Sequence, residues 1–315
     1  MAGATHDTAP AVVFLVLYTA VFAVLVYLYG TMRVRWRSRY SFVLFHVVMR
    51  LVGMALGVAF SCLEWREPRG GPKLGVLIAY LVFSAEGYFS LILCVSRFLI
   101  VWQQDRLGRS NLEPRIPKGT PRRERFRLLV AAPMTTFEYT LIAANAIIVS
   151  GSSIMTGSLN SSDSSKAHRQ ETTGKAMRIS GIAIFIALVQ VVALVGSLSY
   201  RKRGDRTLAL ILLTWPPLTI RGIYGILSVV LATWNYSNAA AYSSSGFSTG
   251  FLVGEYVLGI AMEWVSCVLL VATHFSALNG GSEVHEDHHA RDHDKLAEDN
   301  EGLCLEASPV KAADP

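Results

Sequence analysis

Charge is scarce in this sequence, and cysteine is scarcer still. Charged residues make up 17% of the 315 residues, where a soluble domain carries about 25%. Cys62, Cys94, Cys267 and Cys304 fall at no metal-binding spacing, and all but Cys304 lie within or at the edge of apolar runs. Neither a disulfide scaffold nor a zinc ribbon is implied. There is no nucleotide-binding Gly-rich loop and no nucleophile elbow of the G-x-S-x-G type. A membrane zinc hydrolase would need about three converging ligands. The apolar runs offer only His46 and, at one end, His274. His285, His288, His289 and His293 sit in a polar tail and read as solvated side chains. The expectation is a protein that is not an enzyme, with no catalytic residues, metal, cofactor or nucleic-acid partner.

Long apolar runs are abundant. Residues 11–29 and 179–200 carry no charge at all. A bilayer core of about 30 Å needs about 20 apolar residues in a helix. Backbone groups in lipid must bond within their own segment, so such runs are helices. Seven spans are expected, near 11–29, 41–62, 74–96, 128–150, 179–200, 208–234 and 251–274. The third continues apolar to Trp102 except for Arg97. The fold class is all-α, a polytopic bundle of seven transmembrane helices over residues 11–275. The first run lacks a basic leader and is followed by Arg33 to Arg39, so it reads as a retained span rather than a cleaved signal.

Loop charge sets the orientation. Loops 31–40, 102–127 and 201–207 hold sixteen Lys and Arg residues, and the alternate loops hold seven. The basic side is therefore expected to be cytoplasmic. That places the short N-terminus (residues 1–10) outside and the C-terminus inside. Asn160-Ser161-Ser162 is a glycosylation acceptor triplet in an outer loop, and Asn235-Tyr236-Ser237 is a second, close to a span. The tail 276–315 is acidic and lacks apolar periodicity, which predicts a disordered cytoplasmic segment. The basic face suits anionic lipid headgroups, at about 1 kcal/mol per residue near the surface. The bland reading is that these residues only set topology. The sequence specifies neither the oligomeric state nor which membrane is occupied.

Five ionisable residues fall at the centres of five spans: Arg50, Glu86, Glu138, Arg221 and Glu263. A charge at that depth costs about 2.5–3.5 kcal/mol, so all five are expected to turn inward and form one midplane polar network. Helical spacing supports inward faces. His46, Arg50, Gly53 and Gly57 form one stripe. Glu255, Gly259, Glu263 and Ser266 form another, and Pro217, Arg221, Tyr224 and Ser228 a third. Small and polar residues line the inner faces of membrane bundles, which makes His46, Glu255 and Tyr224 secondary candidates. Three carboxylates facing two guanidiniums would leave one Glu without a full partner, hence protonated near neutrality. The alternative is a static ion-pair network that only holds helices together. Pro216 and Pro217 free the carbonyls of Leu212 and Leu213 and predict a helix break, either a hinge or an ordinary kink.

Several stretches resemble a fungal family of seven-helix membrane proteins whose domain has no assigned function. They are Val48-Met49-Arg50-Leu51-Val52-Gly53, Ser96-Arg97, the segment Trp215–Val230 with its core Trp-Pro-Pro-Leu-Thr-Ile-Arg-Gly-Ile-Tyr-Gly, and Glu263. The resemblance implies a seven-helix fold and a fungal membrane source over most of residues 11–275. It supplies no activity and no site residues, and Glu86 and Glu138 lie outside its pattern. The Ile-Arg-x-Ile-Tyr stretch is also similar to the fungal lipid-translocating exporters linked to aminocholesterol resistance, without the acidic pattern that follows it there.

Three functional readings stand. One is transport or translocation of a small or lipid-like solute through the midplane site. The second is a receptor-like sensor signalling through basic cytoplasmic loops, although Ser96-Arg97-Phe98 has no preceding acid and the seventh span lacks Asn-Pro-x-x-Tyr. The third is a structural membrane protein.

Overall fold

The computed structural model describes residues 8–36, 38–62, 72–110, 112–113, 121, 123–124, 132–158, 164–236, 238–243 and 246–276. Asn160 and the acidic tail with its histidines lie outside the described residues.

Among the described residues seven helices are long and apolar enough to cross a membrane, and they fit a multi-pass membrane protein. They are α1 (Thr8–Gly30), α2 (Tyr40–Cys62), α3 (Pro72–Arg106), α4 (Pro133–Ser158), α5 (Ser164–Arg203), α6 (Arg206–Val230) and α7 (Thr249–Ser276). The exposed large side chains are mostly apolar, among them Val16 on α1, Ile142 on α4, Leu194 on α5 and Ile223 on α6. Arg50, His46 and Glu263 are fully buried. A water-soluble protein almost never buries Arg or Glu unpaired. Here apolar side chains face outward and ions inward, which is what hydrocarbon demands.

Neighbours in sequence pack as neighbours in space. α1 lies on α2, α2 on α3, α4 on α5, and α5 on α6. α3 also touches α4, α5 and α6, so it runs through the middle. α7 packs on α6 and α1, closing the ring within residues 8–271. The α4–α5 crossing is a close approach of two backbones. A Cβ on Gly174 would lie 2.7 Å from the Gly151 carbonyl oxygen, and one on Gly151 would lie 2.8 Å from that of Gly174. Gly181 meets the Ala144 carbonyl at 2.8 Å in the same way. Only glycine lets two backbones come this near.

Several helix bounds differ from those the apolar runs predict. α3 runs on to Arg106, because Arg97 is neutralised within the protein rather than ending the span. α4 begins at Pro133, five residues later than expected. α5 begins at Ser164, fifteen residues earlier. Its first four turns are charged and carry the pair Lys175–Glu171 at 2.6 Å. At 1.5 Å per residue, α5 is about 60 Å long and overruns a 30 Å core. α6 ends at Val230, and a short 3₁₀ turn (Ala232–Trp234) follows. Between α6 and α7 a two-residue antiparallel ladder pairs Tyr242 with Phe247.

Two helices depart from α geometry. α6 is interrupted at Thr214, with Pro216 and Pro217 opening its second half, Trp215–Val230. Neither proline can donate to the carbonyl four residues back. Gln190 of α5 straps the break, accepting from Trp215 Nε1 at 2.8 Å and donating to Thr219 Oγ1 at 3.2 Å. α7 is π-helical over Gly254–Ala261. Wide turns of this kind concentrate at functional sites.

Candidate functional site

The five centrally placed ions do not form one network. They divide into three groups.

Arg50, Arg221 and Glu263 come together. Arg50 Nη2 pairs with Glu263 Oε2, and Arg221 Nε donates to Glu263 Oε1 at 2.6 Å. One carboxylate from α7 thus ties α2 to α6. Arg50 Nη2 also donates to the Ser84 carbonyl of α3 at 3.2 Å. The Arg221 guanidinium lies over Tyr88 and Tyr224, 5.5 and 5.7 Å from the ring centroids. Aromatic faces stabilise a cation that has left water. One turn before Arg50, His46 Nδ1 sits 2.9 Å from Ser90 Oγ.

Glu86 lies apart, accepting from Asn145 Nδ2 of α4 at 2.6 Å. Glu138 is in a third place, paired with Arg97, whose other nitrogen donates to Glu113 at 3.0 Å. Both Arg97 and Glu138 are about three-tenths exposed. The later start of α4 explains the correction. It places Asn145, rather than Glu138, at the midpoint of the span Pro133–Gly157. The charge arithmetic reverses with it. The central group holds two guanidiniums and one carboxylate, so the surplus is positive and the expected unpartnered Glu is not at this centre.

Glu255, a secondary candidate, has the richest surroundings. It accepts hydrogen bonds from Tyr224 Oη at 2.8 Å, Tyr80 Oη at 3.2 Å and Ser84 Oγ at 3.4 Å. Its position in the first π-helical turn presents it to α3 and α6 together. Ser84 therefore serves both centres, its hydroxyl meeting Glu255 and its carbonyl meeting Arg50.

A cavity of about 70 Å³ opens beside Glu255, enough for a few waters or a small solute. Arg178, Arg221 and Glu255 are the charged residues that line it, together with Tyr224, Trp234 and Tyr236. The Arg178 guanidinium lies 4.9 Å from the Tyr236 ring centroid. Its Nε and Nη1 have no hydrogen-bond partner among the described residues. Arg178 directly precedes the apolar run 179–200 and so reads as a loop charge in the sequence, whereas it lies within α5. Asn235, the second glycosylation triplet, is buried and donates to the Val229 carbonyl at 3.2 Å, so it is not presented to solvent.

At the opposite end Asp205 joins α3 to the α5–α6 turn. It caps α6 by accepting from Leu208 N at 2.8 Å, accepts from Trp102 Nε1 at 2.9 Å, and lies 3.2 Å from Arg106 Nε. Cys94 and Cys267 are free and buried. Among the described residues no cluster of three or more His, Cys, Asp or Glu side chains is arranged to hold a metal.

The chain matches no protein-family model, no curated protein and no solved structure. The seven long apolar helices among the described residues fit the class of multi-pass membrane proteins.

Proposed function

We propose that this protein is a membrane carrier that binds a small solute in the cavity bounded by Arg178, Arg221 and Glu255. The observation that supports it most is the position of Arg221, which lines the cavity and is hydrogen-bonded to Glu263 at 2.6 Å. A solute that draws on Arg221 competes with Glu263, and so changes how α6 is held to α7. The break at Pro216–Pro217 and the π-helical stretch of α7 give those two helices places to bend. Hinge closure of helices around a ligand is a common transport device.

The orientation belongs to the same proposal. Arg33, Arg35, Arg109, Arg201, Lys202 and Arg206 are exposed and cluster at one set of helix ends, which we assign to the cytoplasm and to contact with anionic headgroups. The cavity then faces the other side. Membership of the fungal seven-helix family is likewise proposed, on the segment Trp215–Val230.

A receptor-like sensor is the second reading. It is favoured by the packing of α3 beyond the ion group, where Leu91, Cys94 and Phe98 are buried in the hydrophobic core. The two readings separate in one experiment. Vesicles containing the purified protein are exposed to an unfractionated metabolite extract, and the trapped contents are analysed by mass spectrometry. A carrier enriches at least one solute, and Glu255→Gln abolishes that enrichment at equal folded protein. Enrichment unaltered by Glu255→Gln removes the cavity from the mechanism. Binding without enrichment leaves the sensor.

A further inference from the structure

We infer that the cavity takes a small organic monoanion, a carboxylate carried on an aromatic or branched apolar body. This rests on the reading of the cavity as a solute site, and it names the class of solute.

Among the described residues the lining carries Arg178, Arg221 and Glu255, two positive groups and one negative. Behind the lining stand Arg50 and Glu263, which pair with each other and add nothing net. Among these residues one positive charge is left over, and the Nε and Nη1 of Arg178 are buried without a hydrogen-bond partner among the described residues. Such a charge is costly without a counter-ion. Glu255 already accepts from three hydroxyls, so it does not call for an ammonium group. Arg221 is engaged by Glu263. The group left wanting an anion is Arg178.

Arg178 is also held ready. Its side chain rests on Tyr236, and its α5 backbone is fixed by the glycine crossing with α4, where a Cβ on Gly151 would meet Arg178 Cγ at 3.1 Å. A guanidinium presents fixed donors suited to a carboxylate. Around the space Tyr224, Trp234, Phe185 and Ile182 supply an aromatic and aliphatic wall, interrupted by the hydroxyls of Ser84, Ser152 and Ser228. An apolar body is bound there by burial, and a multiply charged anion would exceed the surplus of one.

Benzoate is a suitable probe, with benzamide as its neutral isostere. Isothermal titration of the full-length protein in nanodiscs of phosphatidylcholine should show benzoate binding roughly tenfold or more tighter than benzamide, as loss of a charge-assisted hydrogen bond implies. Arg178→Gln should reduce benzoate affinity roughly tenfold to a hundredfold, Arg178→Lys by much less, and Arg201→Gln not at all. If Arg178→Gln fails to fold, the benzoate-to-benzamide ratio in the unmodified protein decides alone. Equal binding of the two probes, absence of benzoate binding, or preference for choline overturns the inference. So does loss of benzoate binding in phosphatidylglycerol nanodiscs, which would mean that a lipid phosphodiester is the occupant. Benzoate binding without vesicle uptake of any solute overturns the carrier reading and leaves this inference standing. Uptake of other solutes without benzoate binding does the reverse.

Discussion

Gly87 of α3 lies against the guanidinium of Arg50 of α2, so closely that a Cβ on Gly87 would overlap it. The pairing of Arg50 with Glu263 therefore depends on a hydrogen atom at position 87. Gly87→Ala should displace Arg50 and destabilise the protein by about 1–3 kcal/mol, the cost of overpacking a close-packed core. Gly57→Ala, one helix away, would meet Tyr80 Cε2 at an ordinary 3.4 Å and should be nearly neutral. Thermal unfolding of the two variants in the same detergent distinguishes them. Equal midpoints would show that Arg50 moves aside freely.

Removing Glu263 should cost more than removing either arginine. Glu263→Ala leaves two buried guanidiniums without their shared partner, and breaking a buried pair costs about 3–5 kcal/mol. Arg50→Met leaves Glu263 still paired with Arg221 and should cost less. The order is checked by the loss of folded protein on heating, measured by fluorescence-detected chromatography. A reversed order would mean that the Arg50 side matters more than the shared carboxylate.

The α4–α5 crossing offers a test that avoids every ion. Gly174→Ala would bring a methyl group to 2.7 Å from the Gly151 carbonyl and 2.5 Å from Met155 Cγ. It should separate the helices and lower stability by about 1–3 kcal/mol. Gly75→Ala, with nothing within 4 Å, should be neutral or slightly stabilising, since Ala favours helix by about 1 kcal/mol over Gly. Separation of α4 from α5 would also move Arg178, so Gly174→Ala should weaken benzoate binding in the titration described above.

The sequence made the helix count legible, and with it the inward turn of Arg50, Arg221 and Glu263. Apolar runs of membrane length and the cost of lipid-facing ions suffice for both. The helix ends were less legible, and the site errors follow from them. The apolar run of the fourth span starts five residues before the helix, which centres Glu138 in place of Asn145. The run of the third span is interrupted at Arg97, the partner of Glu138. The run of the fifth starts at residue 179 and leaves Arg178 in a loop. In each case a charged helical turn continues past the apolar run, because tertiary partners neutralise it or because it leaves the bilayer. The stripe that included Glu255 pointed to the cavity, whereas its partners Tyr80 and Ser84 lie on a helix whose face no ionic residue marked.

The wide turns of Gly254–Ala261 carry more residues per turn than an α-helix, and that surplus sets the angular phase between Glu255 and Glu263. Deleting Val257, which is half exposed on the outer face, should let this stretch close into ordinary α-helix and rotate Glu255 by about 100°. Glu255 would swing off Tyr80 and Tyr224 while Glu263 stayed on its arginines. Solute uptake should vanish with the unfolding midpoint little changed, as expected if the surplus residue tunes rotation rather than cohesion.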